Sequence, residues 1–402
     1  MDQTNGSSVR TLDEDQADVR IGEGQQDRLS LEATFGGGMA DVKATRLKNK
    51  RWLAALTAAF AAIATVSTVA IADSQIGVPG KPTGIDPVYG VCRGVDPACY
   101  NDWGTERDNA VLVYSRTAGP RHANLGPRLD PDHSSNAGLD LDRPYVITHD
   151  HSNPALWPLP LTSGNVVHNE LIRMLGAEGI EVHVTEDVQA IASLSDDYAA
   201  VIFASPTRDT LWNHAAGAVG GTRLDGAREA LKKYIEGGGG FVGIHNAFGT
   251  EYGWQWYEGL LGNANYYSHG ANQDGDVVII NDRDASTEAL PERWGFRDEW
   301  YNLIPFPSDV NFLAVVDEST LPEGPGGEGD HPGHGDFHPV TWCQYYDGGR
   351  SWVTTLGHGA GAFQENSGFP GAAEFQEHLV GGIKSAMGLE PFCTPAEGNP
   401  NG

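Results

Sequence analysis

Three histidines stand where the chain leaves three expected strands. His122 follows Ala110–Tyr114, His245 follows Phe241–Ile244, and His358 follows Ser351–Thr355. In a parallel sheet such exits gather on one edge, where α/β proteins place their ligands. Three imidazoles on one edge can hold a divalent metal and leave positions open for water or a hydroxyl. They can equally work without metal as acid, base and polariser, because histidine titrates near neutrality. Both readings stay open at this point. Glu299 lies in Arg297-Asp298-Glu299-Trp300-Tyr301. A carboxylate beside an indole is poorly solvated, so a raised pKa and a role as general acid or base are expected. A salt bridge to Arg283 or Arg297 is the structural alternative. His331, His334 and His338 also have metal-like spacing, but their glycine-rich loop argues against a preformed site. His149-Asp150-His151 shares that ambiguity, and Asp282-Arg283-Asp284 reads as a turn rather than a calcium site. No GxSxG elbow, no GxGxxG after the first strand and no CxxC pair is present, which disfavours a serine esterase, a dinucleotide enzyme and a zinc ribbon.

The elements that must position these residues are legible from period and breakers. Gly237–Gly240 end a helix over Arg223–Glu236, whose Leu224, Ala227, Leu231 and Ile235 face inward. The run from Phe241 then reads as a strand buried on both faces, with His245, Asn246 and Thr250 at its exit. Ala110–Tyr114, Ile180–Thr185 and Tyr198–Ala204 are further strands, and Asn165–Leu175 is a helix. Strand and helix in alternation imply right-handed crossovers and a parallel sheet. Asp276–Ile280, Phe312–Val316, Val340–Tyr345 and Ser351–Thr355 are later strands, partly antiparallel around Asp347-Gly348-Gly349. Trp254–Leu261 and Ala372–Met387 are helices. Leu125–Ser163 is too long for an ordinary loop, and its place after the first strand makes it a lid over the carboxyl edge.

The 402 residues carry a net charge of −28. That excludes nucleic acid as a partner, since phosphate binding needs clustered Lys and Arg. After Arg51 the lysines are Lys81, Lys232, Lys233 and Lys384. An acidic, lysine-poor surface suits an exported or salt-adapted protein. Residues 1–38 are polar and acidic and read as a disordered extension. Basic residues from Lys43 to Arg51 then precede an apolar run, Trp52–Ala72, that ends in Ala70-Ile71-Ala72. Translation from Met39 would make this a secretory signal with cleavage after Ala72. The run is also long enough to span a bilayer as a signal anchor, the sole expected contact with a membrane. Residues 73–108 read as a linker. In an exported chain Cys92 and Cys99 pair in a short loop, and Cys343 with Cys393 would tie down the tail at 389–402.

Residues 109–388 carry, in order, SRTAGPRH, GGGFVGIHNA, TEYGWQWYEGLLG, SHG at 268–270, NDRD, RDEWYNL, HPVTWCQYYDGGRS and TTLGHG. In these segments the chain resembles the ThuA-like (trehalose utilisation) family. The resemblance implies a three-layer, flavodoxin-like α/β fold, with a mostly parallel sheet and helices on both faces, related to class I glutamine amidotransferases. Those relatives carry a cysteine nucleophile at the elbow after the central strand. Here His245 holds that position, which argues against thiol chemistry. The family association points to a disaccharide of the trehalose type or its 3-keto derivative. The expected catalytic residues are then His245, Glu299, His358 and His122, with a divalent metal as the cofactor to be tested. His269, Tyr301, Trp300, Trp254, Tyr252, His338 and Asn246 are the substrate-binding candidates. The aromatics among them offer flat faces to sugar C–H edges, although at least half are expected to be packing. The alternative is a non-catalytic carbohydrate-binding or interaction domain on the same fold.

Overall fold

The computed structural model describes residues 84–102, 106–129, 160–211, 226–327 and 331–396. The expected extension, the signal segment, the start of the linker, most of the lid (with His149, Asp150 and His151) and the last residues of the tail lie outside them.

The described residues form an α/β fold around a ten-stranded sheet. The strands are β1 (Arg93–Gly94), β2 (Ala110–Tyr114), β3 (Glu181–Thr185), β4 (Ala200–Ala204), β5 (Gly240–Ile244), β6 (Tyr266–Ile279), β7 (Arg293–Leu303), β8 (Asn311–Asp317), β9 (His338–Tyr346) and β10 (Gly349–Thr354). Their order is β3-β2-β4-β5-β10-β9-β8-β6-β7, with β1 paired to β9. From β3 to β10 every pairing is parallel. From β10 to β7 every pairing is antiparallel. The switch is made by the Asp347-Gly348 turn, where both residues take positive φ (47° and 98°), as a two-residue hairpin with the twist of its strands requires.

Helices α1 (Val166–Ala177), α5 (Ala360–Phe363) and α6 (Ala372–Met387) cover one face of the sheet. Helices α2 (Val188–Ala192), α3 (Gly226–Glu236) and α4 (Gln255–Leu260) cover the other. Alternate residues of each central strand serve the two layers. Val111 and Val113 pack with Leu171 and Ile383, whereas Leu112 and Tyr114 pack with Leu231 and Ile235. A strand apolar on both faces is what this arrangement demands, and each fully buried aliphatic chain contributes about 1.5–3 kcal/mol. Gly238, at φ 87°, has no room for a side chain, because a Cβ would stand 2.4 Å from the Asn101 carbonyl oxygen.

The described part of the expected linker is packed against the sheet. Arg93 of β1 binds Asp86, Asp309, Ser308 and Gln344. Two disulfides are closed, Cys92–Cys99 and Cys343–Cys393. Among the described residues no helix is long and apolar enough to cross a membrane.

The antiparallel half holds the element that completes the site. Strand β6 pairs with β8 only over Asp276–Ile279. Its first ten residues, Tyr266–Gly275, pair with β7 alone. The β6–β7 ribbon therefore runs past the carboxyl edge of the sheet. A bulge between His269 and Asn272 bends it, and Asp298 and Tyr301 of β7 reach back to the exits of β10 and β5.

Candidate functional site

His245 ends β5 at φ 50°, an uncommon conformation for a residue with a side chain. A 3-10 turn over His245–Gly249 follows at once. The bend aims the imidazole along the carboxyl edge. Its Nδ1 lies 2.8 Å from the Thr355 carbonyl, which can only accept, so Nδ1 carries the proton. Nε2 is then the acceptor, and the Tyr301 hydroxyl donates to it at 2.9 Å. Burial, followed by the charges of His122 and His358, holds the His245 pKa well below the usual value.

His122 sits just before a short 3-10 turn in the exit loop of β2. The loop is fixed by Arg121, whose guanidinium donates to the Gly126, Leu125 and Pro127 carbonyls and pairs with Glu186. Asn124 ties it to the exit of β10 by donating to the carbonyls of Gly357 and His358. The His122 ring lies 4.8 Å from that of His245 and 5.5 Å from that of His358, between centroids. Its Nδ1 is buried and has no hydrogen-bond partner. Burial, with His358 adding to it, lowers its pKa to about 4.

His358 is held from two sides by consecutive residues of β7. The buried Asp298 carboxylate accepts the backbone N–H groups of Gly357 (2.7 Å) and His358 (3.3 Å). Glu299 Oε2 lies 3.1 Å from His358 Nδ1, 3.7 Å from His245 Nε2 and 3.6 Å from His269 Nε2. Successive strand residues point to opposite faces. Glu299 and Tyr301 thus face the histidines, while Trp300 faces the core and donates its indole N–H to the Gln273 carbonyl.

That alternation corrects the expected environment of Glu299. Its surroundings are imidazoles rather than an indole. Burial raises its pKa, but the bond to His358 and the charges of His269, His358 and His122 outweigh it, so the carboxyl lies below its ordinary value. Asp298 is the carboxyl pushed up, to about 7, by burial. His122 and His245 are thus neutral near pH 7 while Glu299 is an anion.

Donor atoms of His122, His245, His358 and Glu299 all lie within 4.8 Å of one another, close enough for one cation to bridge. The cluster opens to solvent through His358 and His269, whose side chains are 27% and 32% exposed.

The substrate-binding candidates divide. His269 and Tyr301 join the cluster, their rings stacked at 5.9 Å. Asn246 lies beside it and anchors the exit loop of β4 through Pro206 and Thr207. Tyr252 is exposed at the surface, and its hydroxyl donates to the carbonyl of Tyr266, whose ring packs on Tyr301. Three others are engaged in packing or in buried hydrogen bonds. Trp300 is core. Trp254 stacks on Trp256 under the Arg228 guanidinium. His338 is fully buried between Glu318 and the Tyr301 carbonyl. Nor do His331, His334 and His338 form a metal site, because His334 Nε2 accepts the Leu303 N–H and both His338 nitrogens are bonded. Asp284 caps a turn through Ser286.

Asn124, Asp298 and Thr355 position the cluster without having stood out in the sequence. Asp298 had a signal, since it continues the alternation of Trp294 and Phe296 and must face inward with them.

The profile of the ThuA family, described as trehalose utilisation, matches residues 163–386. A ThuA-like protein of Bacteroides uniformis is similar at 18% identity, over 72% of this chain and 96% of that one, with a TM-score of 0.46. A second, from Parabacteroides merdae, is 14% identical over 73% and 96%, at 0.44. A cold-adapted β-galactosidase of Rahnella is 15% identical over 69% of this chain and 31% of its own, at 0.37. No curated protein matches. The family match takes in more than half of the sequence, and the chain belongs to the ThuA family.

Proposed function

We propose that this ThuA-family chain is an exported enzyme acting on a disaccharide of the trehalose type, or its 3-keto derivative, by acid–base chemistry. The observation that carries the reading is the meeting of three imidazoles and one carboxylate from β2, β5, β10 and β7 at a partly open edge. Their protonation states suit proton transfer. Glu299 is an anion that can take a proton from a sugar hydroxyl or from carbon beside a keto group. The neutral His245, fixed in one tautomer by Thr355, can relay a proton through Tyr301. The reaction class that fits is hydrolysis, elimination or isomerisation at a sugar. Export is supported by two closed disulfides and by the absence of free cysteine among the described residues.

The test is turnover of trehalose and of 3-keto-trehalose by the full chain, followed by chromatography of the products. Glu299→Gln should lower the rate by roughly 10²–10⁴-fold with an unchanged circular-dichroism spectrum. Sugar binding by the wild type with no product under any condition would replace this reading with a carbohydrate-binding domain.

A further inference from the structure

Three features of the cluster go beyond what acid–base catalysis requires. First, it is imidazole-rich and converging. Rings from three separate strand exits stand 4.8–5.5 Å apart between centroids, around a single carboxylate. Second, it is braced from outside. The Thr355 carbonyl fixes the tautomer of His245 so that Nε2 looks inward, which is the usual arrangement behind a metal-bound histidine. Asp298 holds the backbone of His358 rather than its ring, by accepting the Gly357 and His358 N–H groups, and Asn124 ties the His122 loop to the same exit. Third, His122 keeps a buried Nδ1 with no hydrogen-bond partner, a cost of about 1–3 kcal/mol for a group left unsatisfied.

We propose that His122, His245, His358 and Glu299 bind one divalent transition-type cation such as Zn2+. His245 serves through Nε2 and Glu299 through a carboxylate oxygen. Donors around tetrahedral zinc at ~2.0–2.1 Å lie about 3.4 Å from one another. The four donors here, spread over at most 4.8 Å, need to close by roughly an ångström. His358 and Glu299, partly exposed at a strand exit and on the ribbon, can supply that movement. A set dominated by imidazole selects zinc, cobalt or nickel over magnesium and calcium, which require oxygen shells. Loading requires the Tyr301 hydroxyl to release His245 Nε2. It also requires His358 to present a ring nitrogen without a proton.

The inference concerns the same site as the proposed function but does not rest on the sugar. The full, tag-free chain is stripped with a chelator and titrated with ZnCl2 and with CoCl2 in the absence of any carbohydrate. Calorimetry should give one equivalent per chain, and cobalt should produce the visible bands of a four- or five-coordinate site. His358→Ala and Glu299→Gln should each weaken binding at least about 10-fold with unchanged circular dichroism. His331→Ala, in the other histidine cluster, should leave it unchanged. No stoichiometric binding by the wild type, binding by both site variants equal to that of the wild type, or loss confined to His331→Ala would overturn the site. Because metal is measured without sugar, a bound cation with no turnover would sink the proposed substrate alone. Turnover by the stripped chain would leave acid–base chemistry standing without the metal.

Discussion

Tyr301 is the residue on which the two readings of the cluster diverge. Its ring is buried, and its hydroxyl donates to His245 Nε2. Burial, reinforced by the Glu299 charge, keeps the phenol proton on the oxygen far above neutrality. The hydroxyl is therefore a permanent donor, facing the nitrogen that a metal would use. Removing it frees that lone pair and removes a proton relay. Tyr301→Phe should bind Zn2+ at least as tightly as the wild type while turning over sugar roughly 100-fold more slowly, at the lower end of what one positioned acid–base group supplies. Parallel titration calorimetry and initial rates on one preparation check both halves. Weakened zinc binding would make the hydroxyl a ligand rather than a competitor. An unchanged rate would remove it from the chemistry. Loss of the hydrogen bond leaves the buried His245 Nε2 without its donor and should cost about 1–3 kcal/mol of stability, which urea unfolding of the same preparation measures.

At the scale of elements, the site is a meeting of two structures with different sequence signatures. The strand exits were legible because β2, β4 and β5 are short apolar runs and β10 is announced by the Asp347-Gly348 turn before it, and a parallel sheet forces their ends together. The β6–β7 ribbon was not. Strand β6 is apolar only near its end, at Val277–Ile279. Its start, Tyr266–Gly275, is polar because β7 is its only strand partner and its buried Gln273 is met by the polar backbone of Glu323 and Gly324 rather than by the core. In β7 the inward rhythm of Trp294 and Phe296 continues at Asp298, but in a polar residue, a buried carboxylate whose partners are the backbone of a distant loop. Reading Glu299 through its sequence neighbour Trp300 failed for the same reason, as adjacent residues of a strand share no face. The closing helix and the disulfide that follows it were read correctly, and they support a second prediction. Cys343 lies in β9 and Cys393 beyond α6, 50 residues apart. Cys92 and Cys99 are 7 apart. Loop-closure entropy assigns about 4 kcal/mol to the long bridge and about 2 kcal/mol to the short one. Urea unfolding of Cys343→Ala/Cys393→Ala should therefore show the larger loss against Cys92→Ala/Cys99→Ala. Equal losses, or the reverse order, would mean that local packing rather than chain entropy sets the contribution of each bridge.

For the molecule as a whole, the charge of −28 lies over a core that holds histidines in the neutral form. His168 is buried against the Ser115 hydroxyl, and burial together with the Arg121 charge lowers its pKa to about 3. His378 on α6 meets the Ser286 carbonyl and the Thr341 hydroxyl. Burial, only partly offset by the Ser286 bond, lowers its pKa to about 4. Both pKa values are depressed relative to an unfolded histidine near 6.5. Each ring then contributes stability that is fully present above pH 6.5, because the unfolded chain takes up a proton that the folded one refuses below it. The loss approaches ~1.4 kcal/mol per pH unit for each histidine as pH falls toward its folded pKa. Buried carboxylates pull in the opposite direction, as Glu186 does, held above the usual range by burial. The absolute pH curve of the protein therefore mixes opposing slopes, whereas a difference curve isolates one ring. His378→Gln keeps a polar side chain and cannot titrate. It should be less stable than the wild type at pH 7, and its deficit should shrink by about one to one and a half kcal/mol for each pH unit between 6.5 and 4. Denaturant unfolding of both proteins at pH 7, 6 and 5 measures it. A deficit that stays constant would mean that His378 carries its proton inside the fold, and that the face of the sheet under α6 tolerates a charge which its burial and its two recorded partners give it no means to hold.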